Sequence, residues 1–316
     1  GKTFVVICNQ FGGKKTGREI VENIVKPLCI ANGVKVEVQY TERHKHAVEI
    51  GAHLDIEKYD AIVIVSGDGL IHEFLNGVAR EKDSVSALKK FATLPPIGLV
   101  PGGTCNGAAT SLLSSDPYEA MCTILKGSRN LIDIYRVSNA EGGLVSDCKL
   151  NAWDIHGCAW AMLSEADEVL GKIRWVPHML REPLAAIYLI AKKKVYRISS
   201  ATQIQRCTVV ARSVDWAHKG YHVIDGDFIM IAAMNMPYAS YDMKLTPAAF
   251  HSDGCIDIVL MRGGCSRLDV LRAFLSMGDG SHAGAPGVEL YKATSFTLKR
   301  NEGNINISGE IYPSTD

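Results

Sequence analysis

Three times near its start this chain runs from a short apolar stretch straight into glycine. Thr3-Phe4-Val5-Val6-Ile7-Cys8 leads into Asn9-Gln10-Phe11-Gly12-Gly13-Lys14. Ala61-Ile62-Val63-Ile64-Val65 leads into Ser66-Gly67-Asp68-Gly69, and Pro96-Ile97-Gly98-Leu99-Val100 leads into Pro101-Gly102-Gly103-Thr104-Cys105-Asn106-Gly107. Short unbroken apolar runs of this kind predict strands buried on both faces. A helical pattern follows the first (Ile20, Ile24, Val25, Leu28, closed by Asn32-Gly33) and the second (Ile71, Phe74, Leu75, Val78). Residues 45–57 also read as helix, and Lys35 to Tyr40 alternates as a strand.

This βαβα order predicts an α/β N-terminal domain with a parallel, Rossmann-like sheet and helices on both faces. The glycine loops then fall at the carboxyl ends of the strands, where open α/β sheets bind ligands. Glycine lets backbone N–H groups approach a phosphate, and a following helix N-terminus adds favourable partial charge. One glycine loop after a strand is only a turn. Three, with Asn9, Asp68 and Asn106 set among them, predict nucleotide binding with a carboxylate in reach.

Beyond about residue 130 the texture changes. β-like segments at Ile132 to Val137, Val195 to Ile198, Thr208 to Arg212, Phe228 to Met234, Ile256 to Met261 and Ser295 to Leu298 are punctuated by glycines. They predict a mainly antiparallel β-sandwich C-terminal domain with a few helices, one over Leu268 to Met277.

Composition removes several classes. Lys+Arg and Asp+Glu are both 34, which gives no basic footprint for nucleic acid. The nine cysteines are scattered without a C-x-x-C pair, as expected of reduced thiols rather than a disulfide framework or a zinc site. The apolar run Pro183 to Ala191 is too short to span a bilayer, and no signal peptide is read. The expectation is a cytoplasmic protein. A homodimer stays open.

Familiar templates fail on single residues. Gly12 to Gly17 has P-loop spacing, but Arg18-Glu19 follows in place of Lys-Ser/Thr. His72 stands where a dinucleotide fingerprint needs its last glycine. His72-Glu73 opens H-E-x-x-H, but Asn76 replaces the second histidine, so no metal site is assigned. His72 reads as a packing or hydrogen-bonding residue.

Asn9 to Lys14, Thr41-Glu42-Arg43-His44-Lys45-His46-Ala47, Ser66 to Glu73 and Pro101 to Asn106 resemble the sphingosine kinase branch of the diacylglycerol kinase catalytic-domain family. Leu170-Gly171-x-x-Arg174, Asp253-Gly254-x-x-Asp257 and Gly309-Glu310 continue the likeness along the chain. The resemblance implies an ATP-dependent lipid kinase, with Mg²⁺ beside the nucleotide, that phosphorylates the primary hydroxyl of sphingosine. It implies a nucleotide-binding kinase domain over 1–130 and a β-rich lipid-binding domain over 131–316, whose last strands return toward the first. A lipid substrate implies transient, peripheral contact with membranes.

Residue by residue, the resemblance makes Asp68 the general base. It puts Asn9, Gly12, Gly13, Thr41, Ser66, Gly67, Gly69, Glu73, Gly102, Gly103, Thr104 and Asn106 around the nucleotide. Arg174 would contact its phosphates, and Gly309-Glu310 would close over it. The greasy wall for the lipid would come from Trp175, Met179, Leu180, Leu184 and Ile187. An acid reading the lipid amine belongs soon after Gly157, but Cys158-Ala159-Trp160-Ala161-Met162 holds none. Asp154 and Glu165 are the substitutes on either side. Phe11, Cys105, Glu168 and Ser308 also depart from the family pattern. Two alternatives therefore stand: a ceramide or diacylglycerol kinase, and a catalytically weak nucleotide- or lipid-binding regulator.

Overall fold

The computed structural model describes residues 1–13, 15–80, 84–138, 150–172, 184, 188–192, 207–213, 221–299 and 304–312. The chain divides into two compact units. The first holds Gly1–Val137 together with two later segments, Ala152–His156 and Tyr238–Tyr241; the second holds Ser138–Asn151, Gly157–Pro237 and Asp242–Asp316.

The first unit is built on four parallel strands: β1 (Thr3–Cys8), β2 (Lys35–Tyr40), β3 (Ala61–Ser66) and β4 (Ile97–Pro101), in the order β2-β1-β3-β4. This is the parallel α/β sheet that the apolar runs predict. From Val5 to Cys8 and from Ala61 to Val65 every residue is buried, as both faces of the sheet demand. Phe4, Val6, Cys8, Val63, Val65 and Val100 share one cluster with Ile20, Val21 and Val25 of the first helical segment. That segment is α1 (Gly17–Ile20) and α2 (Lys26–Ala31) joined through a π-helical stretch at Val21–Val25.

α3 (His46–His53) is shorter than the pattern over 45–57 predicts. Leu54 turns extended, and only a 3₁₀ turn at Ile56–Lys58 remains before β3 must begin at Ala61. α3 lies against α4 (Asp68–Val78) at backbone distance. A Cβ on Gly51 would stand 2.3 Å from the Phe74 carbonyl oxygen, and one on Gly77 would stand 2.1 Å from that of Val48. α5 (Ser84–Thr93), α6 (Gly107–Leu112) and α7 (Pro117–Lys126) complete the helices of this unit. α7 shows full punctuation: the Asp116 carboxylate accepts from Tyr118 N and Glu119 N, Pro117 opens the helix, and Gly127 closes it at φ 78°.

β5 (Tyr135–Ser138) and β6 (Asn151–Asp154) pair with each other. The end of β6 is anchored by Trp153, which packs with Ala79, Ala87, Phe91 and Ile134 and meets Phe91 edge-on at 5.4 Å. Asn76 of α4 clamps the same residue, donating to Trp153 O and accepting from Trp153 N, both at 2.9 Å.

The second unit carries β7 (Gly157–Ala161), α8 (Met162–Lys172), β8 (Cys207–Ser213), β9 (Tyr221–Gly226), β10 (Phe228–Met234), β11 (Ile256–Arg262), α9 (Arg267–Leu275), β12 (Val288–Lys299), β13 (Ile305–Ile307) and β14 (Glu310–Tyr312). Its strands are antiparallel, in the order β14-β13-β7-β10-β11-β12-β8-β9. β12 pairs with β11 over Val288 to Ala293 and, beyond a register shift, with β8 over Phe296 to Lys299. A strand that changes partners across such a shift lets one ladder fold over itself, which is how sandwich-like layers arise from a continuous sheet. β10 and most of β11 are buried throughout. α9 opens on a capping box between Ser266 and Asp269. The segment Val195 to Ile198, read above as a strand, lies outside the described residues.

The α3–α4 contact sets an expected outcome. Gly77→Ala must push the two backbones apart and should cost about 1–3 kcal/mol. A chemical-denaturation midpoint equal to wild type would contradict that contact.

Candidate active site

The three glycine loops meet. Asn9 leaves β1 with its N–H bonded to Val65 O, and its carboxamide oxygen accepts from Phe11 N at 2.9 Å and Gly12 N at 3.0 Å, which folds the first loop back. Gly13, at φ 55°, lies so close to the third loop that a Cβ would be 2.8 Å from the Gly103 carbonyl carbon. A Cβ on Gly103 would in turn be 2.3 Å from Gly67 Cα in the second loop. Gly102 N donates to Ser66 O. Asn106, itself at φ 57°, accepts from Gly103 N and donates to Gly103 O, which ties off the third loop.

Asp68 stands where these loops meet. It is the first residue of α4 and only 9% exposed. Its two carboxylate oxygens accept from the first backbone amides of α6: Oδ2 from Gly107 N at 3.0 Å, Oδ1 from Ala108 N at 2.9 Å. The two N–H donors fix the plane of the carboxylate. Asp68 thus bonds to another helix as well as heading its own.

Beside it opens a groove of about 360 Å³ lined by Asn9, Phe11, Gly12, Thr41, Glu42, Arg43, His44, Leu70 and Glu73. Thr41 is buried, and its N–H continues the sheet by donating to Cys8 O. Glu73 accepts from Lys45 N, and the His44 ring stands 3.8 Å away. A groove of this size, with amides and mixed polar groups on its wall, matches the dimensions of small-molecule sites.

Of the residues picked from sequence, Asn9, Gly12, Thr41 and Glu73 line this groove, while Gly13, Ser66, Gly67, Gly102, Gly103 and Asn106 form the glycine junction. Gly69 lies in the first turn of α4, and Thr104 is exposed beside Cys105. Gly309 and Glu310 belong to the second unit, where Gly309 turns at φ 92° and donates its N–H to Asn306 Oδ1. Glu165 is half-buried on α8 with the Lys192 ammonium 3.7 Å away. Leu184 is 46% exposed. Asp154 is wholly buried, accepting from His72, from the Tyr135 hydroxyl and from His156 N. Lys14, Arg174, Trp175, Met179, Leu180 and Ile187 lie outside the described residues.

Sequence reasoning passed over Glu42, Arg43, His44 and Leu70 as groove residues, although the first three sit in the Thr41–Ala47 string. It also passed over the Gly107 and Ala108 amides, which carry no side-chain signal.

The model for the diacylglycerol kinase catalytic domain matches residues 3–137, and that for the YegS C-terminal NAD kinase beta sandwich-like domain matches residues 165–315. Sphingosine kinase 1 of Arabidopsis thaliana is 28% identical over 98% of this chain and 68% of its own length. Sphingoid long chain base kinase 4 of Schizosaccharomyces pombe is 26% identical over 99% of this chain and 71% of its own. The crystal structure of a putative diacylglycerol kinase from Bacillus anthracis shares the fold, with a TM-score of 0.64 at 18% identity, covering 99% of this chain and 92% of that one. The glycine junction around Asp68 lies inside the first of these matches: the chain carries a diacylglycerol kinase catalytic domain over residues 3–137, followed by a match to the YegS C-terminal domain over residues 165–315.

Proposed function

We propose that this protein transfers the γ-phosphoryl group of ATP to the primary hydroxyl of sphingosine or a related long-chain base, giving sphingosine 1-phosphate. The single observation that carries the reading is Asp68, a buried carboxylate aimed by two amides at the mouth of three interlocked glycine loops. The names of the relatives matched along nearly the whole of this chain favour the long-chain base over ceramide or diacylglycerol.

In this reading ATP occupies the groove between Asn9 and Glu73, with its phosphates against the glycine loops, where Gly12, Gly67 and Gly103 leave no side chain in the way. Asp68 takes the hydroxyl proton as that oxygen attacks the γ-phosphorus, and most of the catalysis is positioning and charge stabilisation. Mg²⁺ fits this donor set as a partner of the nucleotide phosphates, neutralising their charge, because the junction offers amides and one carboxylate rather than a protein cage. Arg174, Gly309 and Glu310 are assigned to the nucleotide, and the segment around Trp175 to Ile187 to the lipid chain.

Glu165 is our candidate for the lipid amine. It already faces a primary ammonium, that of Lys192, which is the group a long-chain base would present. No helix among the described residues is long and apolar enough to cross a membrane. α9 supports peripheral association. Val270 and Ala273 face its core side, while Leu268, Leu271 and Leu275 are exposed on the opposite face, with the exposed Arg267 and Arg272 to either side. Leucines flanked by arginines suit the headgroup region of an anionic bilayer.

Three outcomes are expected. With labelled ATP and Mg²⁺, sphingosine should outcompete ceramide and diacylglycerol, and Asp68→Asn should lower turnover by about 1,000-fold. Glu165→Gln should raise KM for sphingosine and leave that for diacylglycerol alone; a preference for diacylglycerol in the wild type would overturn the long-chain-base assignment.

Among the described cysteines, exposed Cys105 in the third loop should be alkylated first, and ATP should slow it. Burial pushes the Cys8 thiol up to about 12, against the charge of Arg18, and the Cys29 thiol up to about 11, so neither competes. Peptide mapping with and without ATP reads this directly.

Replacing Leu268, Leu271 and Leu275 by serine should abolish cosedimentation with phosphatidylserine vesicles while sparing turnover of detergent-dispersed substrate. Unchanged cosedimentation would remove α9 from the membrane contact.

A further inference from the structure

Asp154 is wholly buried, and it ties α4 and β5 to its own segment, Ala152–His156. Its Oδ1 accepts from His72 Nδ1 at 3.0 Å. Its Oδ2 accepts from the Tyr135 hydroxyl at 2.6 Å and from His156 N at 3.1 Å. Burial pushes this carboxyl up, but the bonds from His72 and Tyr135 and the nearby imidazoles outweigh it, so it sits below the ordinary carboxylate value and stays ionised.

Two routes lead from Asp154 to Asp68. The first runs through α4: His72 lies one helical turn beyond Asp68, on the same face. The second runs through the amides that hold Asp68. The His156 Nε2–H donates to Tyr238 O at 2.8 Å, and Tyr238 N donates to the Ser111 hydroxyl on α6. The His156 ring and the Tyr238 carbonyl press directly on Gly107, where a Cβ would meet them at 2.6 and 2.5 Å. Gly107 is the residue whose N–H reaches Asp68 Oδ2. Both routes stay within the first unit, because Ala152–His156 and Tyr238–Tyr241 belong to it.

We propose that Asp154, with His156 as its second arm, is a positioning residue for the general base: one buried carboxylate fixes the carboxylate that takes the proton and the amides that aim it. This rests on the reading of Asp68 as the base, and it gives Asp154 a role other than reading the lipid amine. Neither residue touches substrate. Each acts through geometry, His72 by setting the register of α4 and His156 by seating Gly107.

Asparagine changes this site. A carboxamide turns one of the two accepting oxygens into a donor, which must either face Tyr135 and His156 N or force His72 into the tautomer whose Nδ1 accepts. His156→Ala removes the bond to Tyr238 O, whereas His156→Gln keeps an N–H that can make it.

The experiment measures kcat and KM for ATP with sphingosine as acceptor, and counts nucleotide sites by calorimetric titration so that rates are expressed per binding-competent site. Asp154→Asn and His156→Ala should each lower kcat per site by about 100-fold, with KM for ATP and its affinity unchanged, and His156→Gln should recover part of the loss. A merely structural role would lower the number of nucleotide sites and leave kcat per site intact. Should Asp154→Asn fail to fold, the two His156 variants decide. Turnover per site within about threefold of wild type in His156→Ala overturns the proposal. Asp68→Asn runs beside them: if it too keeps its rate, the reading of Asp68 has failed; if it alone is dead, only the positioning role has.

Discussion

Backbone touches backbone where the three loops of the first unit meet, and only glycine permits it. A single methyl group on Gly103 would collide with Gly67 Cα at 2.3 Å, and one on Gly13 with Gly103 at 2.8 Å. These are contacts between main chains, which no rotamer change relieves. Closing the loops to this distance brings amides from three strand ends into one patch. It also leaves Asp68, the first residue after the junction, little room except against the N-terminus of α6. The shape of the glycine junction and the placement of the carboxylate therefore follow from one steric condition.

α4 extends that condition into the rest of the unit. Asp68, His72 and Asn76 recur every fourth residue and share a face of the helix. Asp68 takes the amides of α6, His72 bonds to Asp154, and Asn76 bonds to both backbone groups of Trp153. The stripe is polar from end to end and mostly buried, which ordinary amphipathic helices avoid. Here each polar group has a partner on a segment that the sheet alone would not hold, so the stripe sews residues 152–156 to the unit.

The parallel sheet and its glycine loops were legible in the sequence because they depend on local patterns: apolar runs, glycine, and the residues next to it. The family resemblance carried the chemistry further, to Asp68 and to Asn9, Thr41 and Glu73. What stayed hidden is long-range. Nothing in the periodicity of Ala152–His156 or Tyr238–Tyr241 marks them as parts of the first unit, since their allegiance is written in partners far away in the chain. Asn76 illustrates the point. In sequence it only broke a zinc motif; in space its carboxamide holds a donor and an acceptor side by side, spaced to meet the carbonyl and N–H of one residue, Trp153. Asp154, similarly, was one acid near Gly157, and burial alone separated it from Glu165.

A buried carboxylate is an expensive way to join helices, and apolar packing would hold α4 to β6 at less desolvation cost. What packing does not supply is direction. Leucines tolerate a sliding or rotated neighbour, while three hydrogen bonds into one planar group fix distance and angle together. A general base, the role proposed for Asp68, needs that precision, because its oxygen must meet the hydroxyl it deprotonates within hydrogen-bond reach. An ionised Asp154 converts electrostatic energy into alignment, and it does so where Gly107 and Asp68 have least freedom to adjust on their own.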